Sequence, residues 1–119
     1  MTSSLSDYIT ALSGPLSALA FDDTLAVIDA HYDFTPTAFQ NGGVDNPAGT
    51  NSGSCKVFSF AKLHGLSHAQ TLAMFAQHYQ NVLDEPDGDA HANIRAFMQT
   101  GLSGVVFTAD ALTRKPAAN

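Results

Sequence analysis

Tryptophan is absent, cysteine occurs once and basic residues number only five in the 119 residues. Each scarcity excludes something. A single thiol, Cys55, cannot form an intramolecular disulfide, so the chain reads as one that folds in a reducing compartment. The basic residues are Lys56, Lys62, Arg95, Arg114 and Lys115, against eleven acidic ones, for a formal charge of −6. Nucleic-acid binding draws on clustered Lys and Arg, and only Arg114 and Lys115 are adjacent, so no nucleic-acid partner is expected. No apolar run reaches the length of a membrane span, and no membrane partner is expected. No Lys or Arg precedes Lys56, which removes the basic start of a secretory signal. The expected address is the cytoplasm.

What is present is a core. The apolar share is 45% and includes eight Phe and three Tyr, enough for one domain spanning residues 1–119, with about 1–20 as a variable opening segment and 115–119 as a frayed tail. Leu5, Tyr8, Ile9 and Leu12 recur at helical spacing behind Ser3, Ser4 and Ser6, and Gly14-Pro15 ends them. Asp22 or Asp23 is a cap for a second helix carrying Leu25, Ile28 and Tyr32 on one face, closed before Pro36. Ser52 to Ser54 open a third, which Leu63-His64-Gly65 finishes in the manner of a glycine C-cap. Ser67 with Gln70 makes a capping box for one long helix that turns Leu72, Phe75, Ala76, Tyr79 and Leu83 inward. Asp89 caps a last helix bearing Ile94, Phe97 and Met98, stopped by Gly101.

Between Asp33 and Ser54 the helical pattern vanishes into a stretch rich in Gly, Pro, Asn and Thr, read as a long loop of the kind that tends to carry function. Within it, Thr37 to Phe39 followed by Asn41-Gly42 suggests a strand entering a tight hairpin. Gly104 to Phe107 is a second short strand, placed to pair with the one near Thr37. The fold class is therefore α+β, a helix-rich single domain of about five helices with a small β element. Leu25, Ile28, Phe60, Leu72, Phe75, Ile94 and Phe97 are the expected core.

Few patterns carry chemistry. Cys55 sits near a helix start beside Lys56, where a thiolate is favoured, but beside Val57 and Phe58 the stronger reading is a small buried hydrophobe. Gly49-Thr50-Asn51-Ser52-Gly53-Ser54-Cys55-Lys56 resembles a phosphate loop in composition and fails it in spacing, because the lysine does not follow the second glycine. Anion binding at this helix start and ordinary capping by Asn51, Ser52 or Ser54 both remain open. His64 and His68 are four apart with Gly65 breaking the helix between them, so no metal site is expected. His78, His91 and His31 could converge only in space. His91 and Arg95 share one helical face, either for an anionic ligand or for a network with Asp84, Glu85, Asp87 and Asp89.

His31-Tyr32-Asp33, Thr35-Pro36-Thr37-Ala38-Phe39 and Asn41-Gly42 look like the opening signature of the HopJ type III effector family. The run from Asn46 through Phe58 is similar to that family's Asn/Gly-rich centre, Phe60 to Leu66 continues it, and His91 to Met98 with Gly101 resembles its last helix. Where members often carry an acidic residue before Ala-Gly-Thr-Asn, this chain has Pro47. The resemblance spans about Phe21 to Leu112. It implies a small bacterial α+β domain, named for an effector delivered by type III secretion, without an agreed activity. A lysine-free, Ser/Thr-rich start is compatible with such export. Two functions follow as expectations. One is an interaction module with a protein partner. The other is a small-molecule site or enzyme between the Asn41–Ser54 loop, Cys55 and the His91/Arg95 helix. Cys55 and His91 are the catalytic candidates, and Asn46, Asn51, Ser54, Lys56, His91 and Arg95 the binding candidates. No cofactor is expected.

Overall fold

The structure is a computed structural model describing residues 5–115. The expectations for Ser3, Ser4 and the end of the tail lie outside the described residues. In chain order the elements are helix α1 (Leu5–Ala11), a 3-10 turn (Leu16–Ala18), helix α2 (Phe21–His31), and strands β1 (Tyr32–Phe34), β2 (Phe39–Asn41) and β3 (Val44–Asn46). Helices α3 (Ser52–His64), α4 (His68–Ala73), α5 (Gln77–Asp84) and α6 (Ala92–Thr100) follow, then a 3-10 turn (Leu102–Gly104) and strands β4 (Val105–Phe107) and β5 (Leu112–Arg114). This is the expected α+β class.

Helix α3 is the centre of the molecule. A helix with one apolar stripe lies on a surface, whereas one buried on several sides lies inside. Cys55, Val57, Phe58, Ser59, Phe60 and Ala61 are consecutive or nearly so and all buried. Phe58 packs on Phe39 from β2, Phe75 after α4 and Phe97 from α6, at ring-centroid distances of 6.0, 5.5 and 5.1 Å. Phe60, nearly opposite, meets Tyr8 and Tyr32 edge-on. One helix thus holds both halves of the core together.

The stretch read as a long loop contains the short strands β2 and β3 and most of β1. Strand β2 pairs antiparallel with β3 and with β4, and β1 pairs with β5. The pairing of the Gly104–Phe107 strand with the one near Thr37 is as the sequence suggests, Phe39 facing Phe107. The hairpin turn is displaced by one residue. Asn41 opposes Val44, so Gly42 and Gly43 form the two-residue turn, with φ of 56° and 97°. Both positions require φ > 0, and Asn41 is thereby released to end the strand facing inward. A Cβ on Gly42 would also lie 2.5 Å from Thr100 Oγ1.

Two helical expectations change. The single long helix from Ser67 is two helices, α4 with the expected Ser67/Gln70 capping box, and α5. Ala76 breaks it, at φ 51° and ψ −120°, the geometry of the first central position in a type II′ turn, closed by the His78 N–H donating to the Phe75 carbonyl at 3.0 Å. Tertiary bonds hold the break open. The Thr24 hydroxyl donates to the Met74 carbonyl at 2.8 Å, and the Gln77 side chain accepts the Phe21 N–H at 2.9 Å. The break turns α5, so Val82 is buried while Leu83, expected inside, is 44% exposed. Leu25 is likewise only half-buried, because Thr24 and Ile28, four apart, take the core face of α2. Ile28, Phe60, Leu72, Phe75, Ile94 and Phe97 are buried as expected.

Candidate functional site

Helix α6 does not begin at an aspartate cap. Its N-cap is His91, at φ 59° and ψ 53°, without a side-chain capping bond. The reason is Arg95. Its guanidinium donates to the carbonyls of Ala90, Pro86 and Glu85 at 2.6, 3.1 and 2.8 Å, gathering the α5–α6 connection under the helix. Arg95 is therefore spent on backbone rather than on the aspartates or on an open face. Helix α3 starts in the same manner, with Asn51 as N-cap at φ 50° and no side-chain capping bond.

These two helix starts are tied together by asparagines. Asn93, in the first turn of α6, and Asn46, at the end of β3, pair amide to amide through bonds of 3.0 and 2.9 Å. Asn41 donates to the Asn93 carbonyl and side-chain oxygen, and Asn51 donates to the Asn46 oxygen at 2.6 Å. Asn41, Asn46 and Asn93 are buried, where unpaired amides would be costly and paired ones hold geometry. The Asn41 side-chain oxygen is buried without a partner among the described residues.

Over this network lies a cleft of about 420 Å³, walled by Phe21, Asp45, Asn46, Asn51, Ser54, His78 and His91, among others. The His78 and His91 rings are 5.1 Å apart, and the Phe21 ring packs edge-on against His78 at 4.8 Å. Nδ1 of His78 is buried without a hydrogen-bond partner among the described residues. Burial, then the neighbouring His91, push the His78 pKa below its ordinary value, with Asp22 opposing. Clefts of similar size lie along α3 and β4 and between α1 and α2. Neither is lined by two imidazoles or by a residue held at positive φ in a helix cap.

Of the residues expected to bind, Asn46, Asn51, Ser54 and His91 line this cleft. Lys56 is not among its lining residues and pairs with Asp29 at 2.9 Å. Cys55 is a core thiol. It is 1% exposed, its sulfur is 3.6 Å from the Thr37 carbonyl oxygen, and burial raises its pKa, the reverse of an activated nucleophile. Sequence reasoning passed over Asn93 and took Asn41 for a turn residue. The available signal was Asn93 next to Ile94 and four before buried Phe97, an amide on an apolar face that had to find a partner.

A family model described as HopJ type III effector protein matches residues 5–112. The chain belongs to this family. A solved structure, described as the crystal structure of the unknown function protein VPA0580, is 44% identical to it. That likeness covers 97% of each chain at a TM-score of 0.91. No curated protein matches the chain. No helix among the described residues of this HopJ protein is long and apolar enough to cross a membrane, and no group of three or more His, Cys, Asp or Glu among them is placed to hold a metal.

Proposed function

We propose that this HopJ-family chain is a binding module rather than a thiol enzyme, and that the cleft between β3 and the starts of α3, α5 and α6 takes a small polar molecule. One observation carries the reading. Asn51 and His91, both at positive φ, flank a single cleft, and Ala76 lies one residue beyond Phe75 in its wall. Such conformations cost of order 1–3 kcal/mol each and persist where the surroundings impose them, which is characteristic of ligand sites. Titrating the ¹⁵N-labelled protein with a set of small polar compounds tests it. Amide shifts should concentrate at 45–54, 78 and 91–94. Shifts confined to other surfaces, or none with any compound, would refute the reading.

The family description favours a second role for the same module, as an effector exported by type III secretion that meets a protein of the recipient cell. The lysine-free, Ser/Thr-rich opening segment supports that route. Fusing residues 1–20 to a reporter enzyme in a strain with a working type III apparatus decides it, since failure of the fusion to leave the cell removes the route.

A further inference from the structure

The three-stranded sheet has two edges of different character. Strand β3, on one side, carries the exposed Asp45 and runs into Pro47, and both features discourage a further strand. Strand β4, on the other, is Val105-Val106-Phe107, with neither charge nor proline. Its register fixes which groups are open. The Gly42 N–H donates to the Gly104 carbonyl and the Thr108 N–H to the Ala38 carbonyl, so bonded pairs lie two residues apart and Val106 bonds Gln40. The main-chain polar groups of Val105 and Phe107 therefore turn to the free edge. The Val105 N–H is taken by the Leu102 carbonyl. The Val105 carbonyl and both main-chain groups of Phe107 have no partner among the described residues.

Beside this edge is a groove of about 430 Å³ that shares no lining residue with the cleft at the helix starts. Leu63, from the last turn of α3, and Val106 line it, and at 58% and 57% they are the most exposed large apolar side chains among the described residues. Lys62 and Asp110 line it too. The other basic side chains are engaged: Lys56 and Lys115 on Asp29, Arg95 on carbonyls and Arg114 over the Tyr32 ring. Lys62 is the one basic side chain without a partner among the described residues, and Asp110, on the same groove, has no counter-ion among them.

An open strand edge calls for polypeptide, and one free charge of each sign calls for a surface bearing the same two charges. This surface meets both requirements itself. In a two-fold pair, whatever one copy offers the other accepts. We infer that β4 is a docking edge for a second copy of this chain, whose own β4 pairs with it antiparallel. With the two-fold axis at Phe107, its N–H and carbonyl exchange reciprocal bonds with the same groups of the second copy, and two three-stranded sheets become one. The pairing covers Val106 and Leu63 and matches each Lys62 with Asp110 of the second copy. The −6 charge on each copy opposes association and keeps it weak.

Sedimentation of the full chain over a concentration series up to about 1 mM reads the oligomer, and amide hydrogen exchange at Phe107 reads the edge. Mass should rise with concentration towards that of a dimer, and exchange at Phe107 should slow in step. Val106→Lys, at an exposed position, sets two like charges at the centre of the pair. It should weaken association on the order of tenfold or more and leave the melt of the monomer unchanged. Lys62→Glu alone should also weaken association, and Lys62→Glu with Asp110→Lys should restore it. A chain that stays monomeric throughout would give the edge to an unrelated strand and overturn the inference. A dimer with fast exchange at Phe107, association untouched by Val106→Lys, or a double variant no stronger than Lys62→Glu would overturn it as well.

Discussion

Asn46 and Asn93, 47 residues apart in sequence, exchange side-chain amide hydrogen bonds of 3.0 and 2.9 Å beneath the cleft. Each amide is donor and acceptor at once, so an acid cannot replace either. Asn93→Asp keeps the shape, loses the donor to Asn46 and sets two oxygens against each other in a buried place. The expected loss is about 3 kcal/mol or more in urea unfolding at neutral pH. Asn51→Ala, at an exposed position, loses the bond to Asn46 and should cost only about 1 kcal/mol.

Ala76 occupies a conformation that suits glycine, yet its methyl is fully buried. Relief of backbone strain, of order 1–3 kcal/mol, opposes the loss of one buried methyl, worth about 0.8 kcal/mol. Ala76→Gly is therefore expected to stabilise the protein by about 1 kcal/mol. Ala76→Val should destabilise it strongly, since a β-branched side chain tolerates positive φ poorly. Thermal melts of the two variants check the sign of each.

Cys55 should be inert in the native state. A neutral thiol reagent should label it only at the rate of unfolding, at any pH where the fold persists. Cys55→Ala is expected to cost about 1 kcal/mol of stability and to leave binding in the cleft unchanged. Rapid native-state labelling with a low apparent pKa would return the thiol to the list of functional groups.

Two titrations set the pH limits of the fold. Burial lowers the pKa of His78 and His64 from the ordinary 6.5, with His91 and Arg114 adding to the effect respectively. Both imidazoles are held neutral in the folded state. Their contribution is complete above 6.5 and is lost as pH falls, because the unfolded chain protonates first. Stability at pH 5.5 should be below that at 7.5, and His64→Gln with His78→Gln should flatten the difference.

At the alkaline end, burial pushes Tyr8 up to about 12, with Asp23 adding to it and the bond to Thr24 opposing. Thr24 gives its hydroxyl proton to Met74, so Tyr8 donates to Thr24, at 2.6 Å. The stability held by the neutral phenol is complete below pH 10 and is lost as pH rises towards 12. Tyr8→Phe should remove that alkaline slope at a cost of about 1 kcal/mol near neutrality.

Local chemistry explains what was legible beforehand. The Ser67/Gln70 box and the Gly65 cap on α3 are written in neighbouring residues, and the structure holds both. The pairing of β4 with β2 was also foreseeable, as two short apolar strands need partners. The break at Ala76 was not, because Phe75-Ala76-Gln77 has ordinary helical propensity and the donors that hold the break come from Phe21 and Thr24, on another helix. Asp89 is a good local cap, but three carbonyls waiting for Arg95 shift the start of α6 to His91.

By itself the sequence determined the α+β class, most of the core and the family, since each rests on periodicity, capping or a contiguous run of residues. It also placed Asn46, Asn51, Ser54 and His91 among the residues of interest. Only the tertiary structure decided that these four share one cleft with His78, that Cys55 belongs to the core and that Arg95 serves the backbone. Those outcomes depend on which buried donor meets which acceptor across tens of residues. Hydrogen bonds act over about 3 Å in space and leave no fixed spacing along the chain.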